Sequence, residues 1–348
     1  FHGKSTKKYR IPCFIITFAL SKYVMDKLQQ IKSPINTEFE AFKQKFDSSL
    51  QSSNLLLNEV LSHIKQRKGK MMRPILSILF AKLFGEVNEA TYHAAISLEL
   101  LHTASLIHDD VVDESDKRRG QASVNAIFDN KLSVLAGDYL LATSLKHSAL
   151  TGKLPLVNLV SDLGQMLSVG EIIQLTNISA TDFSEEVYYD VIRKKTAALF
   201  AVAAKAGALS VDSSDEYAEK AYTFGEMIGI VFQIKDDIFD YLSSDEIGKP
   251  TGHDMQEGKL TLPALYVLNQ SNDEALIQLA LKIRALEATN DEIAYFTNIV
   301  KERGGIEYAY KVMADYNDKA LSILSEFSSG EVQDSLKTYV DYVVARNK

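Results

Sequence analysis

Apolar positions recur at three- and four-residue intervals through most of the chain, the spacing of one face of an α-helix. From Met25 to Lys68 this stripe passes through Leu28, Ile31, Ile35, Phe39, Phe42 and Phe46, then Leu55, Leu56, Val60, Leu61 and Ile64. Pro34 fits a first helical turn, so a helix is expected to start near Ser33. The same spacing predicts helices over Ile75–Phe84, Asn88–Glu114, Leu132–Leu150, Leu156–Leu175, Phe183 to about Leu209, and Asp215–Leu242. Gly85 marks a turn, and Gly152 with Pro155 marks another. The 17 residues Ser243–Lys259 carry Gly248, Pro250, Gly252 and Gly258, a loop long enough to act as a lid. Beyond it, Leu260–Lys348 reads as four or so amphipathic helices. No repeat, low-complexity tract or composition shift divides the chain. The expected fold is all-α, with residues 25–348 as one domain.

Two of these helices end in acid. Leu101–Gly120 (LHTASLIHDDVVDESDKRRG) holds Asp109, Asp110 and Asp113 above an apolar stripe of Leu98, Leu101, Ile107 and Val111. Asp109 and Asp113 are four apart and share a helix face, where like charges repel unless a cation sits between them. A hard divalent cation with oxygen ligands suits that pair. The segment Phe232–Tyr241 (FQIKDDIFDY) repeats the arrangement 127 residues later with Asp236, Asp237 and Asp240. Ile107–Asp113 and Ile234–Asp240 match in the first isoleucine, all three aspartates and the intervening apolar pair. Solvated acidic runs rarely keep that apolar pair. Two such helix ends predict two carboxylate clusters facing one cavity.

Composition narrows the field without naming a function. The chain has 348 residues, with 46% apolar and 24% charged, as expected of a globular protein. Six prolines and 17 glycines are few for this length and favour long helices. The net charge of −8 and the absence of a basic face interleaved with aromatics argue against nucleic-acid binding. Cys13 is the single cysteine, which rules out a disulfide within the chain and fits a reducing, cytoplasmic setting. Residues 1–24 carry five basic residues and no acid, followed inside them by the apolar run Ile11–Leu20. Ten apolar residues cannot span a bilayer, and no small-x-small cleavage site follows cleanly. This segment reads as an N-terminal extension before Met25, with a peripheral membrane contact as the lesser reading. No other stretch reads as membrane-spanning.

Basic groups are placed to serve an anion. Lys65–Arg73 (KQRKGKMMR) packs five cations around Gly69 ahead of a helix N-terminus, which is either a solvated turn or an anion site. His102 lies seven residues before Asp109 on nearly the same face. Arg193, Lys194 and Lys195 precede an apolar helix, and Lys249 and Lys259 flank the second acidic segment. A diphosphate held through Mg²⁺ would use this inventory, since Mg²⁺ takes few carboxylates together with phosphate oxygens. Cations around a leaving diphosphate stabilise the charge that develops as its C–O bond breaks.

The motifs KGKMMRP (Lys68–Pro74), LLHTASLIHDDVVDESDKRRG (Leu100–Gly120), GDYLL (Gly137–Leu141), KKTAALF (Lys194–Phe200), FQIKDDIFDY and GKPTGHDMQEGK (Gly248–Lys259) occur in the order found in trans-polyprenyl diphosphate synthases. The chain resembles that family from about residue 30 to its C-terminus. The resemblance implies helices around a deep central cavity, a homodimer, and three Mg²⁺ ions bridging an allylic diphosphate to both acidic segments. It implies metal binding by Asp109, Asp113 and Asp236, supported by Asp110, Asp237 and Asp240. It assigns isopentenyl diphosphate to Lys70, Arg73, His102 and Arg119. Arg118, Lys195, Lys249 and Lys259 would grip the allylic diphosphate such as farnesyl diphosphate, with Thr196 and Gln233 positioning the reacting ends. The implied reaction is ionisation of the allylic diphosphate, attack by the isopentenyl double bond, and proton loss to the released pyrophosphate. Two positions depart from the family pattern: Lys68 stands where a glycine is usual, and Met71 where a basic residue is usual.

Product length is a separate expectation. Helices rise about 1.5 Å per residue, so Ser105 and Ala104 lie about one turn below Asp109, and by resemblance such small residues imply a product of about six to eight isoprene units. Aromatic side chains at those positions block the tunnel in short-chain relatives, so a geranylgeranyl-type product is the shorter alternative. The second acidic segment lacks the Asn/Asp–Ser/Thr–Glu spacing of a terpene cyclase, and too few histidines are present for a phosphohydrolase site. An inactive regulatory subunit typically loses one acidic cluster, and both are intact here.

Overall fold

The computed structural model describes residues 27–66, 69–118, 120–177, 182–242 and 252–346. The extension expected over residues 1–24 lies outside them, as do Arg119, Lys249 and Lys68. The described chain is helical almost throughout: α1 Asn36–Ser49, α2 Leu55–Gln66, α3 Met72–Phe84, α4 Glu89–Val112, α5 Val124–Phe128, α6 Asn130–Leu150, α7 Leu154–Asn177, α8 Glu185–Ile192, α9 Ala198–Ser210 and α10 Asp215–Tyr241. A short turn α11 His253–Gln256 leads to α12 Leu262–Gln270, α13 Glu274–Arg284, α14 Asn290–Glu302, α15 Gly305–Ser325 and α16 Glu331–Ala345. The C-terminal part therefore holds five full helices where four or so were expected. The only sheet among the described residues is a two-residue hairpin, β1 Lys117–Arg118 against β2 Gln121–Ala122, just past the first acidic segment.

The helix boundaries follow local chemistry. Asn88 caps α4 through Ala90 N (2.9 Å) and Thr91 N (3.3 Å), and Thr91 Oγ1 accepts from Asn88 N in return. Ser214 caps α10, with Asp215 and Glu216 against its N-terminal dipole. Pro34 sits in a 3₁₀ turn, Ser33–Ile35, that joins residues 27–32 to α1 without a break. The chain is already helical before Ser33, so this proline bends a helix where a start was expected.

α9 and α10 form the middle of the molecule. Phe200, Phe224, Ile228, Val231 and Ile234 are buried there, and α3, α4 and α15 pack around the pair. α4 lies along α6, while α10 carries α15 and α16 on its other side. The acidic ends of α4 and α10 therefore rise from one shared core, which extends from Ile31 to Val343. The outer layer of α6 and α7 behaves differently. It leaves Val134, Leu135, Leu145, Leu150, Leu154, Val169, Ile172 and Leu175 exposed. By length and composition alone α7 is apolar enough to cross a membrane, and little of it is buried within the chain.

Candidate active site

The first acidic helix end is open. Asp109 closes the last turn of α4 and Asp113 caps it, with its N–H donating to Asp109 O. Burial raises the pKa of Asp109 to about 6, against the pull of Lys195 and Arg118, and Glu171 and Asp113 push it the same way as burial. Asp113 is also raised, first by burial, with Lys259 opposing. Asp110 points inwards, is 1% exposed, and is paired with Arg118 from β1. Arg118, on the first strand of the hairpin, thereby ties the hairpin to the end of α4.

The second acidic end is already partnered. Asp236 pairs with Arg346 Nη2 at 2.9 Å. Asp237 is buried and accepts hydrogen bonds from the Tyr188 hydroxyl and from Gln233 Nε2 (2.8 Å). Burial raises its pKa, and those two donors pull against it. Asp240 accepts from the backbone N–H of His253 (2.9 Å) and Asp254 (3.1 Å), which fastens the end of the long loop to α10.

Beside the α10 end lies a cavity of about 240 Å³ whose lining includes Lys195, Thr196, Gln233, Asp237, Asp254 and Lys259, and two of these, Lys195 and Lys259, also act on Asp109 and Asp113. A π-helical turn, Arg193–Ala197, joins α8 to α9 and interrupts the helix predicted across this region. Such turns widen a helix locally and are common at functional sites. Here the turn presents Lys195 to Glu171 and to Gln174 Oε1 (3.1 Å), and Thr196 Oγ1 donates to Gln233 Oε1 at 2.7 Å. Gly170 is needed opposite, since a Cβ there would come within 2.8 Å of Lys194. Burial disfavours the Lys259 charge, but Glu257 (2.6 Å), Asp113 and Asp254 outweigh it and raise its pKa.

A second cavity of about 520 Å³ opens on the other side of α4, and its lining includes Gly69, Lys70, Met71, His102 and Arg118. Lys70 Nζ lies 5.3 Å from the Tyr342 ring centre, and the Arg73 guanidinium 5.1 Å from that of Phe200. Met71 adopts φ 52°, a left-handed conformation costly for a side-chain residue, just ahead of α3. Arg118 thus stands with Lys70 and His102, on the wall of the cavity opposite the one holding Lys195 and Lys259. One turn below Asp109, Ala104 is fully enclosed, while Ser105 is partly exposed and donates to His102 O.

Several residues of this site carry no local signal in the sequence. Glu171, Tyr188, Asp254, Arg284 and Arg346 arrive from five different elements. Arg284, 3% exposed, lines the first cavity, donates to Asp182 O (2.6 Å) and lies over the Phe183 ring. A metal ion would meet oxygen donors at both ends. Among the described residues no three His, Cys, Asp or Glu side chains converge on one point. Mg²⁺ binds through one or two carboxylates and completes its shell with water and phosphate, so Asp109, Asp113 and Asp236 are the donors that would hold it. Added positive charge would relieve desolvated carboxylates at both ends, Asp109 and Asp113 at one and Asp237, Asp240 and Asp254 at the other.

The sequence matches the family model described as Polyprenyl synthetase over residues 54–300. It is 33% identical over 323 residues to component 2 of heptaprenyl diphosphate synthase from Geobacillus stearothermophilus, covering 92% of this chain and 99% of that protein. A crystal structure of geranylgeranyl pyrophosphate synthase from Bacteroides thetaiotaomicron superposes with TM-score 0.82 at 53% identity, covering 92% of this chain and 100% of that one. A polyprenyl synthase from Caulobacter crescentus CB15, complexed with calcium and isoprenyl diphosphate, superposes with TM-score 0.86 at 28% identity, covering 92% and 98%.

Proposed function

This chain belongs to the polyprenyl synthetase family, and from that premise we propose that it is a trans-prenyltransferase joining isopentenyl diphosphate to an allylic diphosphate such as farnesyl diphosphate. The observation that carries this reading is that Lys195 and Lys259, which line the cavity beside Asp237 at the α10 end, also act electrostatically on Asp109 and Asp113 at the α4 end, with a second basic cavity beside α4. Two anionic substrates need two such places.

The allylic diphosphate belongs between the acidic ends. Asp109, Asp113 and Asp236 would hold Mg²⁺, which would neutralise charge on the leaving group. Lys195 and Lys259, on leaving Glu171 and Glu257, add positive charge to the same oxygens as the C–O bond opens. Lys249 joins them by resemblance. Asp237 anchors Gln233, and Gln233 in turn holds Thr196, so one hydrogen-bonded chain orients the groups facing the reacting carbon. Isopentenyl diphosphate belongs in the second cavity with Lys70, Arg73, His102 and, by resemblance, Arg119. Arg118 lies against that cavity while bound to Asp110, and it stabilises the α4 end from behind.

The product is of medium to long chain, because Ser105 is small and partly exposed one turn below Asp109, with Ala104 beside it enclosed in the core, and the G. stearothermophilus relative is component 2 of a heptaprenyl diphosphate synthase. The 53% identity to a geranylgeranyl synthase structure favours a shorter product as the second reading. The exposed apolar faces of α6 and α7 suit a homodimer interface, which would also account for the apolar surface of α7 in a cytoplasmic enzyme. The same relative is named component 2, so a second kind of subunit is the alternative partner. The deciding experiment incubates the purified chain with isopentenyl and farnesyl diphosphates, with and without Mg²⁺, and chromatographs the products. Elongated polyprenyl products that require Mg²⁺ are expected. Complete absence of elongation would overturn the enzymatic reading in favour of a subunit that needs a partner.

A further inference from the structure

The π-helical turn Arg193–Ala197 changes which residues of its helix look the same way. Tyr188 on α8 and Thr196 in the turn are eight residues apart. In an unbroken α-helix of about 3.6 residues per turn they would differ by about 80° around the axis. A turn closed through i→i+5 bonds takes up about one extra residue, so eight residues make about two full turns and the two side chains share a face. Across from them on α10, Gln233 and Asp237 are four apart and share a face as well.

The four side chains close into one hydrogen-bonded ladder. The Tyr188 hydroxyl donates to Asp237 Oδ2, Gln233 Nε2 donates to Asp237 Oδ1 (2.8 Å), and Thr196 Oγ1 donates to Gln233 Oε1 (2.7 Å). Each link sets the direction of the next. An amide gives hydrogen only from its nitrogen, so with Nε2 committed to Asp237 the Gln233 oxygen faces Thr196. The Thr196 hydroxyl must then donate to that oxygen, and its own lone pairs are left for the cavity that Thr196 and Tyr188 both line. Tyr188 is the end that fixes the series. It is 7% exposed, its ring meets Tyr189 edge-on at 5.4 Å, and burial beside Asp237 raises its pKa well above the ordinary value, so its hydroxyl stays a donor. Without that hydroxyl, Asp237 is free to turn, and Gln233 with it.

We infer that Tyr188 is a positioning residue for the reaction: through Asp237 and Gln233 it holds the Thr196 hydroxyl with its lone pairs towards the cavity, where the allylic carbon gains positive charge as its C–O bond opens. The inference rests on the prenyltransferase reading above. An acceptor aimed at developing charge acts on the transition state and little on the bound substrate, so its loss shows in the chemical step and not in KM.

The test uses full-length chains with farnesyl and isopentenyl diphosphates and Mg²⁺. It measures the single-turnover rate of the first condensation, and both KM values, for wild type, Tyr188→Phe, Thr196→Val and the double variant. Tyr188→Phe removes one oxygen and keeps the ring; it should slow the condensation about 10–100-fold with both KM values unchanged. Thr196→Val should lose at least as much. On the Thr196→Val background the tyrosine change should cost little more, because no hydroxyl is left to orient. Thr196→Ser should keep the full sensitivity to Tyr188→Phe. Should Tyr188→Phe not fold, Gln233→Met breaks the same series one link on and reads the same coupling. An unchanged condensation rate in Tyr188→Phe, or a double variant whose loss is the product of the two single losses, overturns the inference and leaves the enzymatic reading standing. A wild-type chain that elongates no primer removes both.

Discussion

At the end of α4, burial pushes the pKa values of Asp109 and Asp113 upwards, and the cations that oppose this most, Lys195 and Lys259, are already engaged by Glu171 and Glu257. At the end of α10, Asp236, Asp237 and Asp240 each have a partner in place: Arg346, the Tyr188–Gln233 pair, and the backbone N–H groups of His253 and Asp254. The seven-residue segments that supply them are nearly identical in pattern. What separates them is everything packed around them. Both ends are desolvated, since burial raises Asp237 to about 7 as it raises Asp109 to about 6. Among the described residues, however, Asp109 and Asp113 have no ion-pair partner, so an incoming metal–diphosphate complex displaces no side chain there, whereas Asp236 already holds Arg346. The α10 end is a prebuilt framework that holds neighbouring groups in position. The same motif can supply the demand for a ligand at one place and rigidity at another.

That contrast predicts unequal losses. Asp109→Asn removes a carboxylate from the open end and should lower kcat by at least about 10²–10³-fold, as the loss of a principal charge-stabilising group does. Asp237→Asn leaves the direct ligands intact but loosens Gln233 and Thr196, and should cost about 10–100-fold, the usual effect of disturbing groups behind a site. Steady-state rates over a Mg²⁺ titration measure both. Equal losses would mean that the two ends do the same job, and the division drawn here would fail.

Much of this was open to reading in the sequence. The apolar spacing predicts the major helices, and the matched Ile-x-Asp-Asp segments single out both acidic ends, because each signal lies within a dozen residues. The partners were not legible. Arg346 reaches Asp236 from the far end of the chain, and Tyr188 reaches Asp237 from α8, through packing that no local pattern records. The π-helical turn at Arg193–Ala197 was also hidden, since the residues on either side keep ordinary helical spacing. It is the feature that aims Lys195 and Thr196 into the cavity.

Protons offer a gentler way to probe the open end. Asp109 ordinarily titrates near 3.8 and here near 6, so between those values the folded metal-free protein holds more protons than the unfolded chain. Its contribution to stability therefore falls as pH rises from about 4 to about 6. His147 acts in the opposite sense: burial lowers its pKa to about 4, so its contribution is lost as pH falls from 6.5 towards 4. The Asp109 part is isolated as the difference between wild type and Asp109→Asn. Without Mg²⁺ the variant should gain Tm over wild type as pH climbs from 4 to 7. With Mg²⁺ the gain should shrink or reverse at pH 7, because the metal takes the place of the proton. A Tm difference independent of pH would show that Asp109 is not the desolvated group.

The smallest expected effect concerns the framework end. Arg346 is nearly buried, donates to Phe232 O (2.6 Å) and lies 3.6 Å over the Phe232 ring, yet its partner Asp236 is 43% exposed. A bridge with one half-exposed member is worth no more than about 1 kcal/mol, a factor of about five in an equilibrium constant. Arg346 and a metal ion compete for the same carboxylate. Arg346→Met keeps the apolar stem over Phe232 and releases Asp236, so Mg²⁺ binding followed by calorimetry should tighten by up to about fivefold. If binding weakens instead, Arg346 is holding Asp236 ready for the metal and is not withholding it. The two acidic ends would then differ in how their carboxylates are presented, and no longer in how freely they accept charge.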